Sequence, residues 1–147
     1  MGSLARDQQV EGSNPSDGYM QIQTSKETEL VDITERVREL IKDVKDGFCI
    51  VFSKHTTTGI IINENEPRLK ADILTMLDEI VPKGKGYRHD EIDSNAHSHL
   101  RSVLLGPGIV VPIEDGSLAL GAWQSIFLVE LDGPRRRTVN VNIVKEG

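Results

Sequence analysis

At 147 residues, with 37% hydrophobic and 27% charged side chains, the chain suits one globular domain and neither a disordered nor a fibrous protein. A formal charge of −6 argues against a general phosphate-backbone binder, which needs a basic face to release counterions. One cysteine, Cys49, excludes an intramolecular disulfide, and no apolar run reaches the ~20 residues of a membrane span.

Residues 1–18 are rich in Gly, Ser, Asn, Pro, Gln and Asp without apolar periodicity, and read as a tail outside a domain spanning 19–147. The tail lacks the apolar core of a signal peptide, so cytoplasmic residence is expected. Tyr19 to Thr24 alternates as a strand does, and Glu29 to Ile33 makes a second short one. Asp32 or Thr34 can cap a helix running to about Val44, with Val37, Leu40, Ile41 and Val44 on one face. Phe48 to Ser53 and Gly59 to Asn63 read as buried strands, and Cys49 as a small buried hydrophobe.

Pro67 suits the first turn of a helix, and Leu69, Ile73, Leu74, Leu77 and Ile80 follow at helical spacing until Pro82 stops it. Lys83-Gly84-Lys85-Gly86 is a flexible loop, and Asn95 can cap a short helix ending at Gly106. Ile109 to Ile113 and Ser125 to Leu131 are continuous apolar runs. Thr138 to Val144 alternates, with Val139, Val141 and Ile143 on one face. With no helices between the last strands, the expected fold is α+β: one domain with a mainly antiparallel sheet or sandwich and about three helices. Only 4% of residues are aromatic, so the core is expected to be Ile, Val and Leu.

All four histidines fall between positions 55 and 99. A cation such as zinc wants several neutral imidazoles, often with a carboxylate or water. Residues two apart on a helix stand about 200° apart around its axis, so His97 and His99 cannot face one point. The spacing leaves His55 and His89 plus one of that pair as candidates, against the plain reading of hydrogen-bonded structural histidines. Asn63-Glu64-Asn65-Glu66 is either a polar turn before a helix or part of a site. Trp123-Gln124 is either a packed indole beside a surface amide or a substrate contact. Arg135-Arg136-Arg137 is either a local basic patch or a strand end with one structural arginine.

Three blocks in this order resemble the YjbQ-type family. They are His55-Thr56-Thr57-Thr58-Gly59 with Asn63-Glu64-Asn65-Glu66-Pro67; Tyr87-x-His89-Asp90 with Asn95 to Ser102; and Leu120 to Phe127 with Glu130 and Asp132-Gly133-Pro134-Arg135. The resemblance implies a secondary thiamine-phosphate synthase, an α+β fold and a homotrimer, which would also cover sheet edges. It places the motif histidines on His55, His89 and His99, as ligands of a divalent ion, Zn or Mg. The first block departs from the family's common His-Thr-Ser/Thr-Ala-Ser at Thr58 and Gly59.

The implied reaction joins a hydroxymethylpyrimidine pyrophosphate to a thiazole phosphate. His55, Glu64 and Gln124 are then the candidate catalytic residues, with Gln124 orienting a substrate amine and Glu64 supporting the metal shell. Lys54, Thr57, Asn65, Trp123 and Arg135 are candidate contacts to a small phosphorylated metabolite, Lys54 and Arg135 to its phosphates. The alternatives are a metal-dependent hydrolase of such a metabolite and a non-catalytic metal- or ligand-binding trimer. Neither nucleic acid nor a membrane is an expected partner.

Overall fold

The computed structural model describes residues 18–146; the tail expected over 1–18 lies outside them except for Gly18, which already pairs in the first strand. In chain order the elements are β1 (Gly18–Gln23), β2 (Glu29–Asp32), α1 (Thr34–Leu40), β3 (Gly47–Ser53), β4 (Thr58–Asn63) and α2 (Pro67–Ile80). After a 3₁₀ turn (Arg88–Glu91) come α3 (Ala96–Leu105), β5 (Gly108–Glu114), β6 (Ser117–Leu118), β7 (Ser125–Glu130) and β8 (Arg136–Lys145). The strands form two sheets, ordered β1-β8-β3-β5-β6 and β2-β7-β4, and every pairing is antiparallel.

The sheets meet over one aliphatic core. Met20, Val51, Val111, Val139 and Val141 face Ile60, Ile126 and Leu128, while Val37 and Ile41 close one end. Each such side chain stabilises the fold by roughly 1.5–3 kcal/mol. The continuous apolar run of β7 follows from burial on both faces. Ile126 and Leu128 join this core, whereas Phe127 and Val129 join a second cluster with Leu77 of α2. The alternation of β8 reflects one buried face and one half-exposed face.

Three local expectations change. β3 and β5 are buried on one side only: Phe48, Phe52 and Val110 are exposed, because no element of the described chain covers the outer face of the five-stranded sheet. Helix α1 ends at Leu40 rather than Val44, although Ile41 and Val44 stay buried in the turn that follows. Asn95 precedes α3 without a capping hydrogen bond, since its side chain is engaged elsewhere; Asp90 Oδ1 accepts the Ala96 amide instead, at 3.0 Å.

Candidate functional site

Two connections cross from one sheet to the other at the same end of the molecule. Residues 54–57 lead from β3 into β4, and residues 131–135 lead from β7 into β8. Helix α3 packs beside them, pinned by Ser98 Oγ donating to Leu131 O and Ser102 Oγ donating to Thr58 O, both at 2.6 Å. Between these segments lies a cleft of about 390 Å³, walled by Lys54, His55, Thr56 and Thr57 on one side and by Asn95, His99, Asp132, Arg135 and Arg137 on the other.

The floor is a buried ion pair. Arg137 donates from Nε to Glu130 Oε1 at 2.8 Å, and from Nη2 to Glu130 Oε2 and to Thr57 Oγ1. Thr24 Oγ1 and the Asp132 amide donate to the same carboxylate at 2.7 and 3.0 Å. Burial pushes the Glu130 carboxyl up, but the hydrogen bonds from Arg137, Asp132 and Thr24 outweigh it and hold it below the usual range. Gly133 is required here: a Cβ would stand 2.4 Å from Lys26 O and 2.6 Å from Glu130 Cγ.

His55 rises from the β3 end with Nε2 accepting the Thr138 amide at 3.0 Å. A nitrogen that accepts a main-chain N–H carries no proton, so the neutral ring holds its hydrogen on Nδ1. Burial, then the charge of Arg137, lowers the His55 pKa from its ordinary value, so the ring resists a second proton. His55 is therefore a neutral N–H donor lining the cleft.

Across the cleft, Asn95 Nδ2 donates to Asp132 Oδ2 at 2.9 Å, and Arg135 donates to Asp132 O and Oδ2 at 2.7 and 3.2 Å. That fixes the Asn95 amide, so its Oδ1 faces His89 Nε2 at 3.2 Å and His89 donates. The His89 and His99 rings meet edge to face, with centroids 4.8 Å apart. Behind them a more apolar hollow of about 470 Å³, bounded by Tyr87, Ala96 and Leu100, adjoins the cleft at His99.

Of the residues singled out from the sequence, Lys54, His55, Thr57, His99 and Arg135 line this cleft, and His89 joins through Asn95 and His99. Glu64, Asn65, Trp123 and Gln124 do not. The register pairs Thr58 with Glu130 at the cleft end and Asn63 with Ser125 at the other. Five residue steps separate the two ends, about 17 Å of strand.

Nor do His55, His89 and His99 form a three-ligand metal centre within one chain. His55 accepts the Thr138 amide on Nε2 and carries its proton on Nδ1, so neither nitrogen is free to ligate, whereas His89, donating from Nε2 to Asn95, keeps a bare Nδ1. Among the described residues no group of three or more His, Cys, Asp or Glu side chains is placed to hold an ion. His97 points away from His99 into the interior, buried, with Nδ1 unpartnered.

The arginine run resolves into three roles. Arg135 lines the cleft, Arg136 donates to Gln21 Oε1, and Arg137 is the structural member. Sequence reasoning gave Asn95 only a helix-capping role, placed Glu130 and Asp132 in a family-like block without a role, and left open which arginine of the run is structural. The blocks signalled Asn95, Glu130 and Asp132 without saying what each touches, and Arg137 lies outside them.

A family model described as UPF0047 protein YjbQ-like matches residues 18–146. A UPF0047 protein of Archaeoglobus fulgidus is 49% identical over 120 residues, 82% of this chain and 94% of its own. A UPF0047 protein of Methanothermobacter thermautotrophicus is 49% identical over 124 residues, covering 83% and 87%. Among solved structures, a YbjQ-like protein of unknown function from Sulfolobus solfataricus superposes with a TM-score of 0.86 at 41% identity, covering 88% of this chain and 96% of that one.

Proposed function

This chain belongs to the UPF0047, YjbQ-like family, and on that premise we propose that its cleft binds a small pyrophosphorylated metabolite and transfers the organic part to a ring nitrogen. The observation that carries this reading is a cleft lined by Lys54, Arg135 and Arg137 in a chain of net charge −6. The His55 Nδ1–H adds a neutral donor. Because Thr57 Oγ1 accepts from Arg137, its own hydrogen is left to donate as well. Such a set matches the oxygens of a pyrophosphate.

In thiamine-phosphate synthesis, the bond between the pyrimidine methylene carbon and the pyrophosphate oxygen breaks. Its electron pair leaves with the pyrophosphate, and the thiazole nitrogen lone pair forms the new C–N bond. Charge builds on the departing oxygens, where preorganised donors stabilise the transition state more than the ground state. Lys54 and Arg135 hold the phosphates in this scheme, with Asp132 and Asn95 keeping the Arg135 guanidinium in place. His55, His89 and His99 are not grouped to hold one ion among the described residues, and the side-chain donors of the cleft supply the charge stabilisation. The hollow beside His99 is sized for the flat organic portion.

The exposed apolar side chains Phe48, Phe52, Val110 and Val144 on the outer sheet face support association of copies, as a trimer. No described helix is long and apolar enough to cross a membrane.

Calorimetric titration with inorganic pyrophosphate, with and without magnesium, tests binding, and turnover with the two thiamine precursors tests the reaction. The synthase reading expects saturable binding and a kcat on the order of 1 s⁻¹ or more. Binding with turnover orders of magnitude slower leaves the non-catalytic binder, and phosphate release without coupling identifies a hydrolase. No pyrophosphate binding overturns the assignment of the cleft.

A further inference from the structure

Four residues of the family-like blocks, Glu64, Asn65, Trp123 and Gln124, sit together at the sheet end opposite the cleft and take no part in it. Their surroundings are built rather than loose. Asn65 Nδ2 donates to Asp32 Oδ2 at 2.7 Å, and Gln124 Oε1 accepts the Gly121 amide at 2.8 Å. The second bond fixes the Gln124 amide, leaving its NH₂ group without a partner among the described residues. Trp123 stands 75% exposed beside it. An indole so exposed, next to an amide held by a main-chain bond, is costly to leave in water and is typical of an interface anchor.

The two ends are also complementary in charge. At the cleft end the carboxylates of Glu130 and Asp132 are matched by Arg137 and Arg135, which leaves Lys54 in surplus. At the far end Glu66 is matched by Arg68, which leaves Asp32 and Glu64 in surplus.

We infer that the far end of one copy docks against the cleft of the next, so that the working site is composite, with Gln124 and Trp123 supplied by the neighbouring chain. The contact joins two different patches, and repetition of such a head-to-tail contact closes a three-membered ring when successive copies are rotated by a third of a turn. It brings the blocks together across the interface, which about 17 Å of strand forbids within one chain. The inference rests on the reading that the chain associates with itself, and it adds to the outer sheet face invoked there a second contact, between the cleft and the far end.

The test combines Lys54→Cys and Gln124→Cys, two exposed positions, with a short bismaleimide cross-linker; Cys49 is buried and does not compete. The double variant should yield covalent dimers and trimers on a denaturing gel. A 1:1 mixture of the single variants should cross-link after subunit exchange, and each single variant alone should not. In parallel, Trp123, the only tryptophan, should emit at short wavelength and resist iodide quenching in the assembly. Added pyrophosphate should then change its emission, and His55→Ala should abolish that change. A monomer by light scattering overturns both this inference and the association reading. A trimer that cross-links 54 to 54 or 124 to 124, or that leaves Trp123 open to quenching, overturns this inference alone.

Discussion

The Nε2 atom of His55 accepts the main-chain N–H of Thr138 at 3.0 Å, and this contact decides what the imidazole can do. It ties the β3–β4 connection to β8 and turns the ring's remaining hydrogen, on Nδ1, into a fixed donor. Nitrogen NMR should show Nδ1 protonated and Nε2 bare at neutral pH. His55→Ala should weaken pyrophosphate binding about ten- to a hundredfold, the equivalent of a charge-assisted hydrogen bond of roughly 1.5–3 kcal/mol. Calorimetry reads this directly, and unchanged affinity would remove His55 from the site.

Arg137 should matter for stability before it matters for chemistry. Its guanidinium is the principal partner of Glu130, whose side chain is fully buried. Arg137→Met should cost about 3–5 kcal/mol by leaving a buried carboxylate without its cation. The double change Arg137→Met with Glu130→Leu should recover part of that loss. Urea unfolding of the three variants checks it, and a double variant weaker than Arg137→Met would contradict the argument.

Acid should destabilise the fold. His97 is buried, and burial, then Arg101 and Lys83 nearby, lowers its pKa from the ordinary value; His55 is lowered too. A histidine with a lowered folded pKa binds more protons in the unfolded chain, so stability rises with pH and is lost as pH falls below about 6.5. Glu130, held low in the folded state, adds a loss of the same sign at more acid pH. Unfolding free energies at pH 7.5, 6 and 5 should fall in that order. His97→Leu should flatten the upper part of the slope and leave pyrophosphate binding intact, whereas His99→Ala should weaken that binding.

Cys49 should be inert. Burial pushes its thiol up to about 11, so almost no thiolate exists at neutral pH. Native protein should resist maleimide labelling until it is unfolded. Cys49→Ser should cost roughly 1–3 kcal/mol through a buried hydroxyl. Rapid labelling of the folded chain would show that the site is open.

Much of the chain's local structure was legible from its residues. The Pro67 start and Pro82 stop bracket α2, the alternation of Val139, Val141 and Ile143 marks β8, and helix geometry separates His97 from His99. These are short-range facts, set by φ restriction, by side-chain period and by the angle between neighbours on one element. The family blocks likewise pointed to the cleft residues His55, His99 and Arg135.

Only the tertiary structure decided which of those residues meet. Register pairs Thr58 with Glu130 and Asn63 with Ser125, so His55 and Gln124 face opposite ends although both flank strands of one sheet. It also decided which arginine of the run is buried, because that depends on Glu130 arriving from another strand. And it diverted Asn95 from capping α3 to holding Asp132. In each case the partner lies more than five residues away in sequence, and such long-range pairings are set by the packing of whole sheets rather than by the residues on either side.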